Sequence, residues 1–266
     1  MTPSENRFKT WMQIREDAPL GSWIMSASPI IAEAMGHAGY DWMLVDMEHS
    51  PLDLPHTTAI LQALAGTPTE VVLRVPWNDP VMVKRVMDAG ARSIMFPFIQ
   101  SVEEARAAIA ATRYPPQGTR GVAAMHRASR FGTAPDYLGS ANDQVAVILQ
   151  LETPEAVALM PKIAELDGVD AVFIGPGDLS ASMGLLGQIG HKDVRAALAA
   201  AAAQARELGI ACGIVGGDPA TVRGYLEMGF SYVAIASDLA LLMKSAREAA
   251  AGVRGEDAPI AATSAY

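Results

Sequence analysis

The sequence contains a single cysteine, Cys212, among its 266 residues. One thiol excludes an intrachain disulfide and any zinc site built from cysteines. The chain also has no uninterrupted apolar run of about 18 residues, so we expect no membrane-spanning helix and no membrane partner. The N-terminal segment MTPSENRFKTWMQIRED alternates charges and lacks an apolar core, which argues against a signal peptide. We therefore expect a cytoplasmic protein.

Positive charge is also scarce, because the formal net charge is −9 at pH 7. Nucleic-acid-binding proteins usually present a basic patch, so we expect no nucleic-acid partner. Hydrophobic residues, in contrast, make up 50% of the chain, which is enough for a large core. Intrinsic disorder is therefore unlikely to extend beyond the chain ends.

Short apolar runs alternate with helical patterns along the chain. The eight runs predicted as strands are residues 20–25, 42–47, 71–75, 93–99, 145–149, 171–174, 211–215 and 232–235. This alternation predicts an α/β fold, a (β/α)8 TIM barrel occupying residues 1–266 as one domain. We expect the barrel core to span about residues 18–252 and residues 253–266 to form a loose tail. A doubly wound open sheet is the alternative, although no G-x-G-x-x-G motif follows the first predicted strand.

Two carboxylates follow neighbouring predicted strands. Glu152 comes after the fifth strand and Asp178 after the sixth, and the helix between them opens at Thr153-Pro154. A strand–helix–strand unit makes its strands parallel, so both acids are expected at the carboxyl ends, where barrel enzymes carry their active sites. Oxygen-only ligands suit Mg²⁺ or Mn²⁺ better than zinc. The alternative is that each carboxylate caps the helix that follows it.

Other polar side chains also follow apolar strands. His49 stands beside acids and is a candidate general base, with a purely structural histidine as the alternative. Arg74 ends the third strand, where a guanidinium can fork onto a carboxylate or stabilise a developing oxyanion; a plain salt bridge is the alternative. The remaining polar strand ends are Asp46, Glu48, Gln150, Asp218, Ser237 and Asp238.

The lysines fall in predicted helices or in the N-terminal segment: Lys9, Lys84, Lys162, Lys192 and Lys244. An imine-forming aldolase needs an amine inside the barrel, so Schiff-base chemistry is disfavoured. The segment 114–142, rich in Pro, Gly, Arg and Ser, is too long for an ordinary connection. Long ordered loops of this kind commonly carry function or an interface.

Four motifs together resemble one known family. DMEH at 46–49, RVPWND at 74–79, QLET at 150–153 and FIGPGDLS at 173–180 are similar to those of the class II, metal-dependent pyruvate aldolases, the HpcH/HpaI aldolase-like family typified by 4-hydroxy-2-oxoheptanedioate aldolase. The resemblance covers about residues 10–250 and keeps the order and spacing of the motifs. It implies a barrel of the phosphoenolpyruvate/pyruvate superfamily type.

The resemblance also implies a role for each matching residue. Glu152 and Asp178 would hold a divalent ion, Mg²⁺ or Mn²⁺ with Co²⁺ as a further option. Gln150, Gly177, Asp178 and Arg74 would bind the substrate, and Arg74 would stabilise the enolate oxygen. His49 would move the proton of the C4 hydroxyl, Asp88 would raise its basicity, and Asp46 and Glu48 would support these groups. Without the resemblance, Asp88 reads as an ordinary acid on a helix surface.

The implied reaction is the reversible cleavage of a 4-hydroxy-2-oxo acid into pyruvate and an aldehyde through a metal-bound pyruvate enolate, in aromatic or sugar-acid catabolism. The resemblance also implies a homohexamer. Gly177 stands where relatives often have Ala or Ser, and the loop at 125–127 is expected to help select the aldehyde. The alternatives are an acyl-CoA thioester lyase related to the citrate lyase β subunit, which would need a nucleotide-binding groove, and a catalytically silent barrel subunit.

Overall fold

The computed structural model describes residues 5–14 and 17–255 and shows a closed barrel of parallel strands. Each strand pairs with the next in the chain, and the last strand pairs with the first. The strands are β1 Leu20–Ile24, β2 Trp42–Asp46, β3 Glu70–Arg74, β4 Ser93–Phe96, β5 Ala146–Leu151, β6 Ala171–Ile174, β7 Ala211–Gly216 and β8 Tyr232–Ser237. The predicted (β/α)8 barrel is confirmed, and the open-sheet alternative is excluded.

The helices surround the barrel. They are α1 Arg7–Ile14, α2 Pro29–Gly36, α3 Leu54–Leu64, α4 Pro80–Asp88, α5 Val102–Thr112, α6 Tyr137–Ser140, α7 Pro154–Ala158, α8 Met160–Ala164, α9 Pro176–Ser182, α10 Lys192–Leu208, α11 Pro219–Met228 and α12 Asp238–Arg254. A short 3-10 helix, Asn142–Gln144, precedes β5. As expected, Lys9, Lys84, Lys162, Lys192 and Lys244 all lie on helices rather than on strands.

Side-chain caps fix where many helices begin. The N-cap side chains that accept a backbone N–H at the helix start include Ser28, Asp53, Asp79, Ser101, Thr153, Asp218 and Ser237. The polar residues that follow strands seven and eight are therefore structural. Asp238 has a further role, because its two carboxylate oxygens accept the N–H groups of Met25 and Ser26 and so tie the end of β8 to the loop after β1.

Two predicted boundaries differ from the structure for clear reasons. The fourth strand ends at Phe96 rather than residue 99, because Pro97 offers no N–H and Phe98 adopts a left-handed backbone with φ 51°. The last helix runs to Arg254 and ends at Gly255, which has φ 71°. It therefore extends into the segment predicted as a tail, and the rest of that segment, 256–266, lies outside the described residues.

The helix α1 closes the amino-terminal end of the barrel. Phe8 is fully buried and meets the rings of Trp42 and Tyr232 edge-on, at centroid distances of 5.6 and 5.7 Å. The large rings fit because the strands carry glycine beside them: a Cβ at Gly21 would overlap Trp42, and one at Gly213 would overlap Tyr232. The large aromatic rings therefore occupy the space that the two glycines leave inside the barrel.

The segment 114–142 connects α5 to β5. Since each barrel helix returns the chain from the carboxyl ends of the strands to their amino ends, this segment lies at the amino-terminal end of the barrel. Residues 125–127, which are predicted to help select the aldehyde, therefore lie at the end of the barrel opposite the carboxyl ends of the strands of the same chain. Within the described residues, no helix is both long and apolar enough to cross a membrane.

We expect the Phe8→Ala substitution to lower the free energy of unfolding by about 3–5 kcal/mol, because it opens a cavity among three buried rings. Urea denaturation followed by circular dichroism measures the change. The matched control on the same helix is Ile14→Ala, since Ile14 is 74% exposed. A Phe8→Ala loss no larger than that of Ile14→Ala would mean that α1 does not contribute to the barrel core.

Candidate active site

The register of the barrel places Asp46 beside Arg74. These residues are partners across β2 and β3, and both side chains are fully buried. Arg74 donates from Nε to Asp46 Oδ1 and from Nη2 to Asp46 Oδ2, each at 2.9 Å. The predicted fork onto a carboxylate is thus present, and it fixes the guanidinium plane at the carboxyl ends of the strands.

Two further contacts orient the same guanidinium. Nη1 of Arg74 lies 2.8 Å from Oε2 of Glu48, and the guanidinium carbon lies 4.4 Å from the ring centroid of Trp23. Asp46 also accepts the backbone N–H groups of Glu48 and His49, at 3.0 and 3.4 Å, which folds the loop after β2 over the barrel mouth. His49 Nε2 lies 3.8 Å from Glu48 Oε2, and the imidazole is about half exposed.

Glu152 is held from two sides at the end of β5. Gln150 donates from Nε2 to Glu152 Oε1 at 2.7 Å, and the backbone N–H of Phe98 donates to Oε2 at 3.0 Å. The residue is only 2% exposed. A Cβ at Gly175 would overlap Glu152 Oε1, so the glycine after β6 leaves the space that this carboxylate occupies.

The carboxylates here repel one another, and Glu152 is the buried one, whereas Glu48 is partly buried and Asp178 is exposed. Burial, followed by repulsion from Asp178 and Glu48, raises the pKa of the Glu152 carboxyl to about 8, although Arg74 opposes the rise. Burial likewise raises the pKa of the Glu48 carboxyl above its ordinary value, against the attraction of Arg74 and His49. The site therefore contains more negative charge than the guanidinium of Arg74 neutralises.

Both helix-cap alternatives are wrong. Thr153, rather than Glu152, caps α7, and the N-cap of α9 is Gly175, which has no capping side chain. Asp178 lies inside the first turn of α9, where its carboxylate acts electrostatically on Glu152 and Glu48. The two acids are therefore available for a ligand rather than committed to helix ends.

Asp88 lies elsewhere. At the end of α4 its Oδ1 accepts a hydrogen bond from Arg120 Nη2 at 2.7 Å and lies 3.6 Å from His126 Nε2. Among the described residues, no contact joins it to His49. The expected support of His49 by Asp88 is thus not made within one chain, because α4 returns Asp88 to the amino-terminal end of the barrel. The acid beside His49 is Glu48.

Three contributors were not predicted from the sequence: the N–H of Phe98, the ring of Trp23 and the space left by Gly175. The N–H and the ring act through tertiary contacts that no spacing reveals. A glycine directly after a strand is the one signal in the sequence that could have indicated such a space.

A hard divalent cation fits these residues. Over residues 5–14 and 17–255 no cluster of three or more His, Cys, Asp or Glu side chains is arranged to hold a metal ion. Glu152 and Asp178 offer carboxylate oxygens, and Gln150 Oε1 is buried nearby with no hydrogen-bond partner among the described residues. Mg²⁺ in particular is commonly bound through one or two carboxylates, with water and substrate completing its coordination.

The barrel and the polar groups at its carboxyl end define a (β/α)8 enzyme. The model of one family, "HpcH/HpaI aldolase/citrate lyase", matches residues 20–245. A Pseudomonas putida protein named 2-dehydro-3,6-dideoxy-6-sulfogluconate aldolase is 48% identical and covers 95% of this chain and 99% of its own. A 4-hydroxy-2-oxo-heptane-1,7-dioate aldolase from Shigella sonnei is 44% identical over 93% of this chain and 94% of its own.

A solved structure agrees with these relatives. An HpcH/HpaI aldolase/citrate lyase family protein from Burkholderia cenocepacia J2315 superposes with a TM-score of 0.91 at 43% identity, covering 94% of this chain and 99% of that one. The chain belongs to the HpcH/HpaI aldolase/citrate lyase family. It is therefore a carbon–carbon lyase of the aldolase type.

We expect the metal-free protein to lose stability as the pH rises from about 5 to about 9, because Glu152 holds its proton in the folded state to a higher pH than in the unfolded chain. Stability is thus greatest below the ordinary glutamate pKa and falls as the pH passes the raised value. Relative to the isosteric, uncharged variant Glu152→Gln, the melting temperature of the wild type should fall by more than about 2 °C over this range.

Differential scanning calorimetry in EDTA measures this difference. Mg²⁺ should restore the stability of the wild type at high pH and leave Glu152→Gln unchanged, because the cation binds the deprotonated carboxylate. If the melting temperatures of the two metal-free proteins changed with pH in the same way, the pKa of Glu152 would not be raised and the prediction would be contradicted.

Proposed function

We propose that this protein is a class II aldolase, which reversibly cleaves a 4-hydroxy-2-oxo acid into pyruvate and an aldehyde with the help of Mg²⁺ or Mn²⁺. The observation that carries the proposal is the buried carboxyl of Glu152 at the carboxyl end of the barrel, which the exposed acid Asp178 repels and Arg74 attracts. The names of both curated relatives support it, since each is an aldolase acting on a 2-oxo acid.

Glu152 and Asp178 would hold the cation. When bound, the cation would supply Lewis-acid polarisation of the substrate's ketone oxygen. Glu152 is preorganised for this role by the Gln150 amide and the Phe98 N–H, which fix one carboxylate oxygen each. In this proposal Gln150 and the Gly177 backbone also orient the substrate.

Arg74 would stabilise the negative charge that develops on the ketone oxygen. A guanidinium can do so without reorganising if it is already held in place, and Arg74 is held by Asp46, Glu48 and the ring of Trp23. Its positive charge acts electrostatically on Glu152, the proposed metal ligand, because it opposes the rise in pKa that burial causes there.

His49 would take the proton of the C4 hydroxyl during cleavage and return it during condensation. The exposed imidazole can reach a ligand at the barrel mouth, and its Nε2 lies 3.8 Å from Glu48 Oε2. Exchange of pyruvate's methyl hydrogens involves no C4 hydroxyl, so it requires no proton transfer at that position. His49 should therefore matter more for cleavage than for exchange.

We also propose that the protein works as a cytoplasmic homo-oligomer, a hexamer by family likeness. On α12, the side chains of Leu239, Leu242 and Met243 are between 41% and 55% exposed, which leaves an apolar face for another copy. Size-exclusion chromatography with light scattering tests the assembly directly.

The function is tested by exchange of pyruvate's methyl protons in D₂O, followed by NMR without a guess about the aldehyde. We expect exchange with Mg²⁺, none after metal removal, and a loss of at least about 100-fold in Glu152→Gln, because the cation loses its charged ligand. His49→Ala should keep exchange and lose cleavage of a 4-hydroxy-2-oxo acid, whereas the matched variant His56→Ala keeps both. No exchange by the folded wild type with either Mg²⁺ or Mn²⁺ would overturn the proposal.

Gly175→Ala tests the space beside Glu152. The backbone tolerates alanine there, since φ is −83°, but the methyl group would displace the carboxylate. We expect Mn²⁺ affinity, measured by calorimetry, to fall by about 10-fold to 100-fold while the fold is retained. Gly190→Ala is the control, because nothing lies within 4 Å of its added Cβ. Unchanged Mn²⁺ affinity in Gly175→Ala would remove Glu152 from the ligand set.

A further inference from the structure

A cavity lies at the end of the barrel opposite the candidate active site. Its volume is about 530 Å³, within the range of small-molecule sites. Its walls include residues that precede β4 and β5, such as Arg92, Gln144 and Val145. The cavity therefore opens at the amino-terminal end of the barrel, whereas Glu152 and Arg74 lie at the carboxyl end.

The charge of this cavity is opposite to that of the whole chain. Four arginines line it, Arg92, Arg120, Arg127 and Arg130, and no aspartate or glutamate is among its lining residues. The chain as a whole carries a formal net charge of −9. A concave, purely cationic surface on an acidic protein concentrates the field on anions that enter it.

Two of the arginines are already balanced in part. Arg120 is 3% exposed and donates to Asp88, and Arg92 lies 3.8 Å from Glu70. Nevertheless, the Nε–H of Arg120 is buried and has no hydrogen-bond partner within the part of the chain that the structure describes. Arg120 therefore lines the cavity and keeps one unpaired N–H group.

The other two arginines have no acidic partner among the described residues. Arg127 donates only to backbone oxygens, to Ala89 O at 2.8 Å and to Leu61 O at 3.2 Å. Burial lowers the pKa of its guanidinium, so its charge is held at a cost that an anion would offset. Arg130 is exposed at the rim. The cavity therefore carries about two uncompensated positive charges, which matches a ligand with two negative charges.

The loop that carries these groups is firmly folded. Buried Ser129 accepts the N–H groups of His126 and Gly132 and donates to Ala124 O at 2.8 Å. Arg130 and Phe131 are both left-handed, with φ 51° and 55°, a backbone that non-glycine residues rarely adopt. A preordered loop loses little conformational entropy when a ligand binds.

The rest of the wall is apolar. Met87, Phe131 and several alanines line the cavity, and Tyr137 adds a ring and a hydroxyl. Such a lining accommodates a carbon skeleton better than a bare inorganic ion. Because the cavity is concave and a few side chains wide, it suits a small molecule rather than a protein surface.

We propose that this cavity is a binding site for a small organic dianion, with a carbon body against Phe131 and Met87 and acid groups on Arg120, Arg127 and Arg130. The shared chemistry is two negative charges on a compact skeleton, as a dicarboxylate or a phosphate monoester provides. The site is separate from the aldolase site, and it stands whether or not the proposed reaction is correct.

Titration calorimetry on the intact protein, stripped of metal with EDTA and then dialysed free of it, tests the proposal at about pH 8, where a phosphate monoester is dianionic. Phthalate represents the dicarboxylates, phenyl phosphate the phosphate monoesters, and benzoate is the monoanionic control. We expect at least one dianion to bind about tenfold or more tightly than benzoate, and its affinity to fall as salt is added. The dianion that binds more tightly identifies the class of ligand.

Arg130→Gln locates the site, because this arginine is exposed and its loss should not affect folding. It should weaken dianion binding by about tenfold, whereas Arg106→Gln, an exposed arginine on α5 outside the cavity, should leave it unchanged. Arg127→Lys keeps the charge but loses the fork, and it should weaken binding less than Arg130→Gln weakens it. No dianion binding by the wild type, or equal losses in Arg130→Gln and Arg106→Gln, would overturn the proposal.

Discussion

The candidate active site depends on the buried ion pair between Asp46 and Arg74. Neither charge is exposed, so each requires the other, and removing one would leave an uncompensated charge in the barrel. The pair exists because the closed barrel fixes the register of β2 against β3. Asp46 then folds the loop that carries Glu48 and His49. The register of β2 against β3 thereby determines where the guanidinium of Arg74, the carboxylate of Glu48 and the imidazole of His49 lie.

The acid Glu152, by contrast, is not part of an ion pair like that of Asp46 with Arg74. Among the described residues no cationic side chain pairs directly with Glu152, and burial and neighbouring acids raise the pKa of its carboxyl to about 8. Such an arrangement would destabilise the fold if nothing bound there. The space left by Gly175 and the N–H of left-handed Phe98 both maintain it. Unfavourable electrostatics held by specific packing is typical of a functional site.

The barrel could be predicted because hydrophobic alternation repeats eight times, and each polar strand end followed from the same pattern. Glu152 and Asp178 were found in this way, and so were Asp46 and Arg74. What the pattern does not reveal is tertiary position within the chain. Asp88 carries no sign in the sequence that α4 takes it to Arg120 and His126, away from His49. Likewise, Asp218 and Ser237 resemble site residues until their hydrogen bonds show that they cap helices.

The two ends of the barrel differ in how the chain builds them. At the carboxyl end, residues within or directly after the strands form the site, so their positions follow from the barrel register. At the amino-terminal end, a long connection between α5 and β5 brings Arg120, Arg127 and Arg130 together through hydrogen bonds to Asp88 and Ala89 at the end of α4 and through the bond from Ser129 to Ala124 O within the connection. The first arrangement gathers acids and the second gathers guanidinium groups. The barrel therefore keeps the acidic groups and the guanidinium groups at opposite ends, so the two proposed sites would not compete for a ligand.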